Sequence, residues 1–323
     1  MGEIATIDIG GTHVRFALAM TDGPTVASLG DAVTFDTGDY ESLERAWTAF
    51  GASLGRPLPR AVAISFAGPV HGEVLKLTNN PWVIRPAQIP ETLGVDTWTL
   101  VNDFGAVGHA VAHVGPEYLA HLCGPETALP DRGIISIVGP GTGLGVAHVL
   151  REEGGYRVTE TEGGHVDFAP LDPLEDRIVA ALRVRYRRVS AERIVSGPGL
   201  RNIYDLLRTW ETGTHEAYAD PELWSAAIDG TDRLAAAALD RFCRCLGAVA
   251  GDTALAQGGS GVVIAGGIGL RLAGILPGSG FPLAFTAKGR FESYMAAIPV
   301  KILTHPQPGL LGAAAAFAIE HNG

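Results

Sequence analysis

The chain is short of lysine. Of its 24 basic side chains only Lys76, Lys288 and Lys301 are lysines, against 35 acidic ones, and the formal net charge is −11 over 323 residues. An acidic surface repels a phosphate backbone, so nucleic acid is not an expected partner. Cysteine is also scarce. Cys123, Cys243 and Cys245 are too few, and odd in number, for a disulfide framework, and they point to a reducing compartment. Cys243 and Cys245 stand two apart, a spacing that turns helix side chains in different directions, so the pair reads as structural and no zinc is expected. No apolar run reaches the roughly 20 residues that span a bilayer, and the run from Leu310 to Ile319 is rich in Gly and Ala. No basic region precedes an apolar one at the N-terminus, so neither a secretory signal nor a membrane association is expected, and the cytoplasm is the expected location. Met1-Gly2 with Thr6 fits an acylation pattern loosely, but Ile4 onward reads as a core strand.

Among motifs, the G-K-[ST] of a P-loop is missing, and no glycine loop forms the G-x-G-x-x-G of a dinucleotide fold. The stretch Val101-Asn102-Asp103-Phe104-Gly105 contains the letters DFG, yet the H-R-D loop and strand lysine of a protein kinase are absent. Asp103 is therefore not read as the metal-holding aspartate of that motif.

What is present is hydrophobic content of 46%, enough for substantial cores and for two domains. Ile4 to Ile9 alternates with β-branched residues, breaks at Gly10-Gly11-Thr12 and resumes over Val14 to Leu18, which predicts a hairpin with a glycine tip. A third strand is expected within Thr25 to Phe35, and a helix over Tyr40 to Leu54, where Leu43, Trp47, Phe50 and Leu54 recur at helical spacing. Strands are expected over Ala61 to Phe66 and Thr97 to Val101, with a helix from about Phe104 to His113. The plan then starts again. Gly133 to Val138 predicts a strand, Gly139-Pro140-Gly141-Thr142-Gly143 a glycine loop, and Leu144 to Leu150 the returning strand. Setting IDIGGTHVRFAL beside IVGPGTGLGVAHVL shows the same organisation twice. Asp232 to Ala256 predicts a long amphipathic helix, Gly261 to Gly267 a strand meeting glycines, Val300 to Leu303 a strand, and the end of the chain an Ala-rich helix from about Leu310. Two α/β halves of this kind predict two lobes about a central cleft. The expected boundaries are 1–110 plus about 305–323 for a small domain and 111–304 for a large one. Three glycine loops, each directly after an apolar strand, favour a nucleotide phosphate site built from backbone amides.

The segments IDIGGT, VNDF, GPGTGLG, EGGHVDFAP, ERIVSGPGL and VIAGG, in this order along nearly the whole chain, resemble the bacterial glucokinase family. The resemblance implies a two-lobed, ribonuclease-H-like α/β fold of the actin/hexokinase type with duplicated domains. It also implies phosphoryl transfer from ATP to the 6-hydroxyl of glucose. Asp8, Ile9, Gly10, Gly11 and Thr12 resemble the first phosphate loop, with Asp8 near Mg²⁺ through water. Gly141, Thr142 and Gly143 resemble the second loop, and Gly266-Gly267 the turn on the adenosine side. Asn102 and Asp103 resemble the sugar-binding asparagine and the general base. Glu162, His165 and Glu192 resemble the other ligands of the sugar hydroxyls, and a homodimer is implied. Related ROK sugar kinases carry a cysteine-rich zinc motif after a similar E-x-G-H segment; here Val166-Asp167-Phe168-Ala169-Pro170 stands instead, so zinc is again not expected. The competing readings are a broader hexokinase or fructokinase, a polyphosphate-dependent kinase, and a sugar sensor without catalysis. The sensor is disfavoured because the chain opens directly on the first strand pattern and keeps Asp103.

Overall fold

The structure is a computed structural model and describes residues 2–77, 80–214 and 218–322. The chain forms two compact units, one of Met1–Gly115, Val158–Glu160 and His305–Gly323, the other of Pro116–Arg157 and Thr161–Thr304.

In the first unit β1 (Gly2–Ile9) and β2 (His13–Asp22) form the expected hairpin. The third strand is in fact two, β3 (Thr25–Leu29) and β4 (Val33–Asp36), both paired with β2. The chain leaves the ladder at Gly30, whose N–H donates to Leu18 O at 2.8 Å, and rejoins β2 nearer the glycine tip. Helix α1 (Leu43–Leu54) starts where the Ser42 hydroxyl accepts from Arg45 N and stops at Gly55, whose φ of +64° favours glycine. Then follow β5 (Ala61–Phe66), the short ribbon β6 (Leu75–Lys76) and β7 (Val83–Ile84), α2 (Ile89–Leu93), β8 (Thr97–Asn102) and α3 (Asp103–His113). The sheet order is β3-β2-β1-β5-β8, with β1, β5 and β8 parallel. Ile4, Ile7, Val62 and Ile64 are buried because both faces of these central strands are covered.

The second unit opens with β9 (Leu119–Cys123), then β10 (Gly133–Pro140), β11 (Leu144–Glu152) and β12 (Gly155–Thr161). Helices α4 (Pro173–Tyr186), α5 (Gly197–Thr212), α6 (Asp220–Asp229) and α7 (Arg233–Gln257) precede β13 (Gly259–Ile264), α8 (Gly266–Arg271), α9 (Phe281–Thr286), α10 (Glu292–Ala296) and β14 (Val300–Leu303). Its sheet runs β12-β11-β10-β13-β14-β9, so β10, β11, β13 and β14 take the places of β1, β2, β5 and β8. The repeat seen in the sequence is thus a repeat of topology, as the ribonuclease-H-like fold requires.

The chain closes with α11 (Pro308–Asn322), in the first unit. Its residues from Gly309 to Ala318 are buried, because the helix is apolar on every side. Ala313, Ala314 and Phe317 pack with Ile4, Ala19 and Ala63 of the sheet. On its other side a Cβ at Gly312 would stand 1.7 Å from the Ala106 carbonyl of α3, so the two helices touch only because this residue is glycine.

Candidate active site

In the first unit Asn102 and Asp103 divide two tasks. One reading of Asp103 is as the cap of α3, but the cap is Asn102: its Oδ1 accepts from Phe104 N at 2.8 Å and Gly105 N at 3.2 Å. Asn102 also donates an Nδ2 hydrogen to Gly68 O at 3.0 Å, and its amide lies beside the Asp103 carboxylate. Asp103 is the first residue of the helix; its Oδ1 accepts from Phe104 N at 2.9 Å, and its own N–H and the Asn102 side chain also steady the carboxylate. Burial pushes its carboxyl up to about 6, with the charge of Asp8 adding to the effect and the Phe104 N–H opposing it.

Asp8 lies in β1 one residue before the final pair of the hairpin, Ile9 with Val14. Its Oδ1 accepts from Ser65 Oγ at 2.8 Å and its Oδ2 lies 3.4 Å from Arg15 Nη1. Burial raises its pKa despite these two partners. The loop beyond it is pinned by its carbonyls: Gly11 O accepts from Thr37 Oγ1 at 3.0 Å and Thr12 O from Thr37 N at 2.9 Å. Gly10 N closes the turn on His13 O at 2.9 Å. The Gly11 and Thr12 amides bond to no acceptor among the described residues, which is the state an anion-binding loop requires.

In the second unit the corresponding loop is drawn together with two further glycines. Gly141 N bonds Gly143 O at 2.8 Å, and Gly141 O accepts from Gly197 N, also at 2.8 Å, at the start of α5. Gly266 has φ of +74°, and a Cβ there would fall 2.7 Å from Pro140 O, so glycine is needed where α8 meets the end of β10. Gly267 follows within the first turn of α8.

Glu192 and the turn Gly163–His165 both meet the chain at Leu144, the first residue of β11. Glu192 Oε2 accepts from Leu144 N at 3.1 Å. Gly164 faces the Leu144 carbonyl so closely that a Cβ would stand 2.0 Å away. Two single-turn helices, Gly163–His165 and Ala191–Arg193, carry Glu162, His165 and Glu192. Backbone bonds stitch the two segments: Ala191 N to Val166 O at 2.9 Å and Phe168 N to Val189 O at 3.0 Å. His165 Nε2 lies 3.7 Å from Glu162 Oε2, with the side chains 56% and 81% exposed, so both remain open to a ligand. Asp167 holds Arg188 at 2.5 Å and bridges to Ser190, a structural use.

Sequence reasoning missed the contributions of Ser65 and Thr37 and gave Gly197 no role of its own. A hydroxyl in a strand carries no local signal of the carboxylate it will bond, but SGPG, which marks the start of α5, did mark Gly197. Cys243 and Cys245 are buried free thiols on α7, and Cys245 Sγ lies 3.6 Å from Glu175 Oε1. Among the described residues no three His, Cys, Asp or Glu side chains group as a metal-ligand set.

Comparison with known proteins matches the glucokinase family model to residues 6–320. The chain is 62% identical over 320 residues to a glucokinase of Zymomonas mobilis subsp. mobilis, covering 99% of each. Among solved structures, a glucokinase from an Antarctic psychrotroph matches with a TM-score of 0.85 at 29% identity, covering 98% of this chain and 99% of that one. A ROK-family glucokinase from Streptomyces griseus, solved with glucose and AMPPNP, shares the fold with a TM-score of 0.63 at 20% identity, covering 98% of this chain and 99% of that one. With the repeated sheet plan, these likenesses give the chain the actin/hexokinase-type fold. The extent of the family match and the identity to the Zymomonas protein establish that this chain belongs to the glucokinase family.

Proposed function

We propose that the chain transfers the γ-phosphoryl group of ATP to the 6-hydroxyl of glucose, giving glucose 6-phosphate and ADP, with Asp103 as general base. The observation that carries the base assignment is the division of labour after β8. Asn102 caps α3, so the helix does not depend on the Asp103 carboxylate for its cap. A hydroxyl attacks phosphorus poorly unless its proton is accepted as the bond forms. In this reading the proton of the 6-hydroxyl passes to Asp103 while oxygen bonds the γ-phosphorus. The bond to the β,γ-bridging oxygen breaks, and its electron pair leaves with ADP. A carboxyl of pKa about 6 is ionised at neutral pH and is a stronger base than an ordinary aspartate.

The Asn102 side-chain amide is assigned to a sugar oxygen, and Glu162, Glu192 and His165 to other hydroxyls. Glu192 keeps Oε1 for this while Oε2 holds Leu144. The amides of Gly11 and Thr12 and the loop Gly141-Thr142-Gly143 are assigned to the phosphates, with Ile9 and Gly10 shaping the first loop and Gly266-Gly267 on the adenosine side. With three lysines in the chain, backbone amides take the part that a lysine plays in other phosphate sites. Mg²⁺ is proposed to accompany ATP. Asp8, the carboxylate at the loop end of the strand that enters the first phosphate loop, fits a cation that arrives on the nucleotide and is met through water better than a cation caged by protein. When bound, that cation neutralises charge on the phosphate oxygens.

Residence in the cytoplasm and a homodimeric state complete the proposal; all three cysteines are free, and among the described residues no helix is long and apolar enough to cross a membrane. Sedimentation of the purified protein checks the dimer. The activity is tested by following ADP release from Mg-ATP with glucose, fructose, mannose or N-acetylglucosamine offered separately. Turnover on glucose far above the others is expected. Equal rates on fructose or mannose mean a broad hexokinase, and no turnover on any sugar means a sensor.

A further inference from the structure

Asp8 is enclosed on three sides, and the third wall comes from the far end of the chain. Ser65 Oγ donates to its Oδ1 at 2.8 Å, and Arg15 Nη1 lies 3.4 Å from its Oδ2. Against the remaining side lies the first turn of α11. A Cβ at Gly309 would stand 2.6 Å from Asp8 Cγ, 2.6 Å from Oδ1 and 2.8 Å from Oδ2, distances that real Cβ atoms do not tolerate. The turn is itself fixed on the same strand, because Thr6 Oγ1 donates to Leu310 O at 2.8 Å and Leu310 is fully buried. Neither β1 nor the start of α11 can therefore yield without breaking buried contacts.

We infer that Gly309 is a positioning residue for Asp8. The start of α11 fixes the direction of the Asp8 carboxylate, so the first phosphate loop is complete only once the C-terminal helix has docked. The functional half of this inference rests on the reading of Asp8 as the carboxylate nearest the nucleotide. The glycine is required by the neighbour and not by the backbone, since Gly309 lies within a regular helix where alanine is otherwise preferred. Alanine at this position should raise helix propensity and yet lower stability, a reversal that only the carboxylate explains.

The test is a double-mutant cycle of Gly309→Ala and Asp8→Ala, read by apparent melting temperature and by steady-state kinetics of Gly309→Ala. Gly309→Ala alone should lower the melting temperature by about 3 to 6 °C, the shift expected for an overpacked site. In the Asp8→Ala background, where the carboxyl is gone, the same substitution should lower it by less than about 1 °C. Gly309→Ala should also raise KM for Mg-ATP by roughly tenfold, the factor that about 1.4 kcal/mol gives, while the Kd for glucose stays within twofold. Equal losses in both backgrounds, or no loss in either, would overturn the inference. A single variant that fails to fold while the double variant folds supports it, and failure of both overturns it. Coupling in melting temperature with KM for ATP unchanged would leave Gly309 as the determinant of Asp8 geometry but would sink the nucleotide role of Asp8.

Discussion

In the first unit the strand entering the glycine turn carries Asp8 one position before its last paired residue, Ile9; in the second, the position before Pro140 is Gly139. At the far strand of each set the contrast repeats. Strand β8 runs into Asn102-Asp103, whereas β14 ends at Leu303 and continues into Thr304 without a carboxylate. The order of the central strands is shared between the halves, and the charge is not. Burying a carboxylate at the end of a strand needs local compensation, and only the first unit supplies it, through Ser65 and Arg15 for Asp8 and through the Phe104 N–H for Asp103. The second unit brings its acidic groups in on separate turns, where Glu162 and His165 remain in water and Glu192 leans on Leu144. On the proposed reading the first unit supplies the reacting carboxylate, and the second supplies neutral amides and hydroxyl acceptors.

Removing the charge of the first unit is the strongest way to break this contrast. Asp103→Asn should lower kcat by roughly 10² to 10⁴ with glucose affinity little changed, as expected when a general base is lost; steady-state kinetics with calorimetric binding of glucose separates the two. Removing an acceptor from the second unit should act on the sugar instead. Glu192→Ala should lower kcat/KM for glucose by about 5- to 150-fold, the equivalent of roughly 1 to 3 kcal/mol for an unpaired buried partner. Glu192→Gln should lose less, because a carbonyl oxygen still accepts from Leu144 N. Gly266→Ala sharpens the comparison from the amide side. A methyl 2.7 Å from Pro140 O at φ of +74° should raise KM for ATP by about tenfold with glucose binding intact, given roughly 1 to 3 kcal/mol of local strain. The smallest effect on turnover is expected far from all these groups. Arg241 pairs with Asp172 and, at 2.8 Å, with Glu175, whose side chain is buried. Arg241→Met should cost about 3 to 5 kcal/mol of stability by leaving Glu175 uncompensated, while kcat of the folded fraction stays within about twofold of wild type in denaturation and rate measurements.

Much of this frame was legible in the sequence because glycine punctuates it. Each of the three loops follows a run of β-branched residues, and a glycine after such a run has few readings other than a turn or an approach to a ligand. The long helix α7 announced itself by periodicity, and Asp232, expected as its first residue, is its cap. The edge strands β4 and β12 did not, since they are half exposed and carry polar residues that read as loop, and β9, five residues long, gives too short a pattern. Helices α4 and α5 were hidden for a different reason. Arginines interrupt the apolar pattern of both, and Pro173 and Pro198 near their starts read as breakers although they stand where a first turn accepts proline. At the site, VNDF did not show which of two adjacent side chains caps the helix, because Asn and Asp serve equally at that position. Nor could any local pattern show that Gly309 lies against Asp8, since that contact joins opposite ends of the chain.

The most direct test of the base assignment is the pH dependence of kcat/KM for glucose between pH 5 and 8, in wild type and in Asp103→Asn. Catalysis needs the ionised carboxylate, and burial raises its pKa, so protonation removes activity as pH falls through that value. The wild-type profile should be level above a pKa of about 6 and fall roughly tenfold per unit below it, and the residual activity of Asp103→Asn should lack that limb. A wild-type profile that stays level to pH 5, or the same acid limb in the variant, would contradict Asp103 as the base.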